Sequence, residues 1–172
     1  MRGGRRMLHY PAPPEPPVTF RILGLSPAPF RHLFGLPDAA LRAQGAQRHI
    51  ADRTPGFPDR IELRDAEPGE SLLLLNHVHQ PADTPYRASH AIFVREGAEQ
   101  TYDAVGEIPD VLRRRVLSLR AFDASHAMCD AELASGDAIA EAIARLLEHR
   151  ATAYIQAHFA LRGCYAARIE RA

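Results

Sequence analysis

Residues 72–75 are four consecutive leucines inside the segment SLLLLNHVHQ, the longest leucine run in the chain. Successive side chains of a strand point to opposite faces, so four leucines in a row need cover on both sides. The run therefore predicts a central strand over residues 71–79, nearly inaccessible on both faces across 71–78. Residues 60–65 read as the strand before it, joined through the turn Ala66-Glu67-Pro68-Gly69-Glu70. Residues 90–95 read as the strand after it, across a loop holding Pro81 and Pro85. Residues 18–25 give a first strand with imperfect alternation, and residues 46–52 a short extended piece. Pro55-Gly56-Phe57-Pro58 is a turn, since proline presets φ and glycine accepts positive φ.

Helical spacing is clearest over residues 137–149. Ile139, Ile143, Leu146 and Leu147 make one apolar stripe, and Glu141 with Arg145 forms an i,i+4 pair on the other side. A short helix is expected from the Asp38 N-cap to Gly45, and another starts at Pro109. Residues 116–122 and 127–134 form a hairpin around Asp123-Ala124-Ser125-His126. Residues 151–159 and 164–170 close the chain as a second hairpin, with Gly163 at a left-handed loop position. No internal repeat is present. Strands outnumber helices and short turns join them, so the fold class is α+β: a mainly antiparallel sheet with two or three packed helices. Residues 18–172 form a single domain, and residues 1–17, with five prolines in seven positions, a flexible arm that adds nothing to the core.

The last hairpin carries the first chemical cluster. A three-residue loop ending in Gly163 pairs Ala160 with Cys164, His158 with Ala166 and Gln156 with Arg168. Any odd loop then puts Gln156, His158, Cys164 and Arg168 on one face, with Ile155, Tyr165 and Ile169 on the other. An even loop would bury Arg168 unpaired among isoleucines. A histidine, a cysteine and an arginine thus share a face within cross-strand reach. The second cluster is Asn76-His77-Val78-His79-Gln80, where His77 and His79 project to one face and Asn76, the only asparagine, to the other. Tyr86, Arg87, Ser89 and His90 follow at the start of the next strand, near the histidine pair if the strands adjoin.

Plainer readings stand beside these. A strand-end histidine pair is more often hydrogen-bonded or solvated than metal-bound, and a small cysteine in a strand is more often inert than reactive. Cys129 alternates with Ala127, Ala131 and Leu133 and reads as core. Arg113-Arg114-Arg115 reads as a solvated face. His9, His32, His49, His126 and His149 lack a partner at ligand spacing. Arg168 and Arg87 near the histidines would repel a cation, so no metal and no cofactor is expected, and a sulfate, phosphate or carboxylate is the expected occupant.

Composition narrows the function classes. The 21 basic residues are all arginine, which excludes Schiff-base chemistry and the lysine of a phosphate-binding loop. They balance 21 acidic residues, so charge argues for neither a nucleic-acid nor a membrane partner. Two cysteines are too few for a disulfide framework. The basic start, Met1-Arg2-Gly3-Gly4-Arg5-Arg6, runs into prolines where a signal peptide needs an apolar stretch, so a cytoplasmic location is expected.

Several segments, taken in order, resemble a known family. They are Pro55-Gly56-Phe57-Pro58, Asp65-Ala66-Glu67-Pro68-Gly69-Glu70, Leu73-Leu74-Leu75-Asn76, His79-Gln80, Pro85-Tyr86-Arg87-Ala88-Ser89, Ile92-Phe93-Val94-Arg95-Glu96 and Arg162-Gly163-Cys164-Tyr165-Ala166-Ala167-Arg168. The chain resembles the bacterial family called domain of unknown function 1203 over roughly residues 18–170. That resemblance implies a small bacterial protein and supplies no catalytic assignment. The family pattern has a cysteine where Asp59 stands, a glycine at His90 and an asparagine at Phe159, whereas His79, Arg87, His158, Cys164 and Arg168 match it.

Two expectations follow. The first is a small-molecule binding protein or enzyme whose anionic ligand sits on one sheet face. There Arg87 and Arg168, with Asn76, Tyr86 and Ser89, bind the ligand; His79 and His158 serve as acid and base, and Cys164 as nucleophile or donor. The second is a non-catalytic interaction module, a homodimer through a sheet edge or through the helix over residues 137–149.

Overall fold

The structure, a computed structural model, describes residues 19–172. The expected arm lies outside the described residues, apart from which the chain forms one α+β unit of two antiparallel sheets. Its strands are β1 (Phe20–Leu23), β2 (Gln47–Ile50), β3 (Ser71–Gln80), β4 (Ala88–Arg95), β5 (Asp103–Val105), β6 (Leu117–Phe122), β7 (Met128–Ala134), β8 (Tyr154–Phe159) and β9 (Tyr165–Arg171). Its α-helices are α1 (Asp38–Ala43), α2 (Asp110–Arg113) and α3 (Ala138–Glu148). Six strands run in the order β5-β1-β9-β8-β6-β7, and a smaller sheet runs β2-β3-β4.

Each sheet face follows from strand parity. Helix α3 buries Ile139, Ile143, Leu146 and Leu147 against Leu119, Ile155, Ala157, Ala167 and Ile169 on one face of the large sheet. That stripe is core and is not available as a dimer surface. The other face of the large sheet meets the small one, where Leu73, Leu75, Ile92 and Val94 pack with Tyr165 and Ile61. The leucine strand is central in its sheet, as expected, and Leu72, with Ala51 and Ala66, fills a third small core on the far side. Cover ends at Leu75, however. Asn76 and Val78 are exposed on the outer face, so the expectation of a strand closed on both sides holds only for its first half.

Residues 60–65 are not a strand. The Asp59 carboxylate accepts the Glu62 N–H at 2.7 Å and the Arg95 N–H at 2.8 Å, which bends the chain, and Leu63 takes a positive φ of 48°. The alternation of Ile61 and Leu63 there marks a buried loop that feeds both cores. Gly24 lies against this loop, where a Cβ would stand 2.1 Å from the Ile61 carbonyl oxygen. Neither partner is a flexible side-chain end, so Gly24→Ala is expected to cost about 2 kcal/mol. The measurement is a melting temperature several degrees below wild type; an unchanged value would show that the loop yields freely.

Two further expectations are corrected. Cys129 is exposed, because it is the extra residue of a bulge on edge strand β7, between the pairs Ala121 with Asp130 and Phe122 with Met128. Arg115 is not a solvated residue: its guanidinium takes both Asp65 carboxylate oxygens at 2.6 and 2.9 Å and lies over the Phe159 ring. No helix among the described residues is long and apolar enough to cross a membrane.

Candidate functional site

Three β-bulges shape the gap between the sheets. In β3 the pairs Val78 with Ser89 and Gln80 with Ala88 leave His79 as the inserted residue. Simple alternation would send His79 and Gln80 to opposite faces; the bulge turns both toward the large sheet. The His79 ring meets Gln156, and the Gln80 amide meets Tyr154. The second bulge lies between β8 and β9. Gln156 pairs with Arg168 and Ala157 with Ala167, as the odd-loop reading expects, but His158 then pairs with Tyr165 rather than Ala166. The inserted residue reverses parity beyond it. Tyr165 joins the site face, and Cys164 moves into the core on the other side. The third bulge, at Cys129, adjoins the turn that carries His126.

The result is a histidine cluster clamped by one amide. Gln156 Nε2 donates to the His79 carbonyl at 2.9 Å, which orients the amide and leaves Oε1 as an acceptor toward both rings. His79 Nδ1 is 2.8 Å from Oε1 and must carry the proton, so its Nε2 holds a lone pair. His158 stands between two acceptors, the Gly163 carbonyl at 3.0 Å from Nδ1 and Gln156 Oε1 at 3.3 Å from Nε2. The two rings meet edge to face at 4.8 Å, and Tyr165 stacks on His79 at 5.4 Å. His77 pairs with His90 across the small sheet and packs against Tyr165.

Burial, not charge pairing, sets the state of these rings. It drives His158 down to about 3, aided by the charges of Arg120, His79 and His90. His79 is lowered by burial and by Arg120 and His90, against a raising contribution from Gln156; His77 is lowered by burial and by His79. At neutral pH His158 is therefore neutral, and its single proton serves the shorter contact to Gly163.

Beside the cluster opens a cleft of about 280 Å³ lined by His79, Gln80, Pro81, Ala82, His126, Tyr154, Gln156 and Arg168. Arg168 lies over the Tyr154 ring, its Cζ 3.9 Å from the centroid, with Nε donating to Glu170 at 2.5 Å. Its Nη1/Nη2 edge has no protein partner among the described residues. Arg120, in the same cross-strand row as Gln156 and Arg168, has its Nε 3.3 Å from the Ser118 hydroxyl.

Of the residues singled out in the sequence, His79, His158 and Arg168 come together here. Arg87 is exposed and donates to the Pro81 carbonyl, which puts it at the rim. Asn76 and Ser89 are exposed on the outer face of the small sheet, and Tyr86 is exposed with its ring perpendicular to that of Phe122. Cys164 sits elsewhere, its sulfur 3.1 Å from a guanidinium nitrogen of the buried Arg60. Tyr154, Tyr165, His126 and Arg120 were missed. A bulge hides Tyr165 from any parity argument and His126 sits in a turn, whereas Tyr154 shares the parity of Gln156 and His158 along β8, and Arg120 was readable from the row β6-β8-β9 once β6 was placed. No three His, Cys, Asp or Glu side chains among the described residues are set to hold a metal ion.

Fold and site together define an α+β protein with a histidine–arginine cleft between two antiparallel sheets. The chain belongs to the family described as Protein of unknown function (DUF1203), which matches residues 56–171 and so takes in every cleft residue. No curated protein and no solved structure matches it.

Proposed function

We propose that the cleft binds a small anionic ligand, a carboxylate or a phosphate, with His79 as the acid–base group, in a bacterial cytoplasmic protein. The observation that carries this reading is the open Nη1/Nη2 edge of Arg168 in the cleft, its plane set by Tyr154 and Glu170. A guanidinium held this way presents two parallel N–H donors, the geometry that suits a carboxylate or phosphate. His79 supports it, since a neutral ring with a lone pair on Nε2 can take a proton from a bound ligand. Cys164 has no part in the cleft, and His158, its proton donated to the Gly163 carbonyl, supports the His79 ring by packing edge to face against it. The exposed free thiol of Cys129 supports a reducing compartment.

Calorimetric titration with inorganic phosphate and with acetate tests the reading. Binding is expected in the wild type, and Arg168→Gln is expected to weaken it about tenfold to a hundredfold, the worth of a charged hydrogen-bond pair. Equal affinity in both proteins would remove the proposed role of Arg168. A second reading, a homodimer formed along edge strand β7, draws on Leu133, which is 68% exposed there. Light scattering that shows a monomer at high concentration would take away that support.

A further inference from the structure

The cleft holds a second titratable pair, Tyr154 and His126, that the reading above leaves unused. Tyr154 is buried at the start of β8, and its hydroxyl oxygen lies 2.7 Å from Gln80 Nε2 and 2.9 Å from His126 Nδ1. The Ala82 N–H donates to Gln80 Oε1 at 3.4 Å, which fixes that amide the same way round. Gln80 therefore donates to the phenol oxygen, and the phenol proton has His126 Nδ1 as its remaining partner. His126 is exposed at the tip of the β6–β7 hairpin and takes a φ of +64°, which a non-glycine residue seldom adopts. The turn is held by the His126 N–H on the Asp123 carbonyl and the Ala127 N–H on the Asp123 carboxylate, each at 3.0 Å.

These contacts allow two proton arrangements. With His126 neutral, the Tyr154 hydroxyl donates to Nδ1. With His126 protonated by bulk water, Nδ1–H donates to the phenol oxygen instead. That oxygen then receives two donors, and its own proton turns away from His126 without any covalent bond of Tyr154 breaking. We propose that Tyr154 is a ligand-binding donor of the cleft, freed by protonation of His126 to hydrogen-bond the small oxyanion held by Arg168. The proposal rests on the anion-binding reading and adds a residue and a pH dependence to it. The groups facing the pair are Asp123 in the same turn, His79 and Gln80 from β3, Gln156 from β8, and Arg168 with Glu170 from β9. Asp123 is held below the usual carboxylate range by Ser125, the Ala127 N–H and His126, so its charge is constant where imidazoles titrate.

The test follows the His126 ring by NMR across pH, with and without acetate, in the wild type and in Tyr154→Phe. Without acetate, at high pH, Nδ1 is expected to be the unprotonated, hydrogen-bonded nitrogen; a proton resident on Nδ1 would overturn the proposal whatever the anion does. By linkage, acetate is expected to raise the His126 midpoint by about one pH unit in the wild type, equivalent to tenfold tighter binding to the protonated form. In Tyr154→Phe that rise is expected to shrink to a small fraction. An equal rise in the variant would mean that His126 attracts the anion directly, and would overturn the role of Tyr154 while leaving anion binding intact. If acetate perturbs neither His79 nor His126 in the wild type, both the anion-binding reading and this proposal fall.

Discussion

Replacing Arg60 by alanine is expected to lower the unfolding free energy by about 4 kcal/mol, from lost hydrogen bonds together with a large cavity. The side chain is 2% exposed, and no carboxylate among the described residues is hydrogen-bonded to it. Its Nε donates to the Tyr165 carbonyl at 2.8 Å, one Nη to the Pro58 carbonyl and the other to Cys164 Sγ at 3.1 Å, and the guanidinium lies over Phe159 at 4.8 Å. Burial lowers its pKa to about 10, so the charge persists at neutral pH. Arg60 thus ties the loop after Pro58 to the start of β9, the stretch where the bulge turns Tyr165 onto the site face. Arg60→Met, which keeps most of the volume and removes a buried charge, is expected to lose about 2 kcal/mol. Urea denaturation of both variants checks the pair. Equal losses would assign the whole effect to the hydrogen bonds, and no loss in either would show that desolvating the guanidinium cancels what its contacts contribute.

The second large effect is acid sensitivity centred on His158. Its folded pKa, about 3, lies below the ordinary imidazole value, so the unfolded chain binds its proton more readily. The sign follows. The contribution is complete above pH 6.5 and is lost as pH falls toward 3, reaching about 2 kcal/mol at pH 5 and about 3 kcal/mol at pH 4. His77 and His79 are lowered too and act in the same direction. The interval from pH 7 to 5 lies above the range in which Glu70 and Glu96, held at about 2 chiefly by Arg64 and Arg48, gain protons. Stability from urea curves at pH 7 and pH 5 is expected to fall in the wild type, and His158→Gln is expected to remove about 2 kcal/mol of that fall. The same fall in the variant would place the acid response on other residues.

How far the site was legible shows in its separate parts. The shared face of Gln156 and Arg168 followed from keeping an arginine out of the isoleucines, and their pairing holds because the extra residue at Ala166 restores the register that the turn shifts. His79 was legible as the second of two histidines at strand spacing, next to leucines that had to be covered. The partners of these residues were not legible. Cys164 and Tyr165 exchanged faces because one inserted residue reversed the alternation, and Gln80 turned inward beside His79 for the same reason. Nothing local marks such a bulge, whose position depends on how the sheet twists against its neighbours.

The chain by itself determined which residues become strands and helices wherever one face had to be hidden. The stripe on α3 and the leucine run of β3 are cases in which an apolar pattern admits one arrangement. It also determined an all-arginine, lysine-free chemistry. Tertiary structure alone decided that the strands split into two sheets, that residues 60–65 become a buried loop closed by the Asp59 carboxylate, and that His79, Gln156 and His158 meet. The physical reason is range. Side-chain periodicity is set by the backbone within a few residues, whereas the contact of His79 with Gln156 joins groups 77 positions apart and depends on how two sheets settle against a shared core.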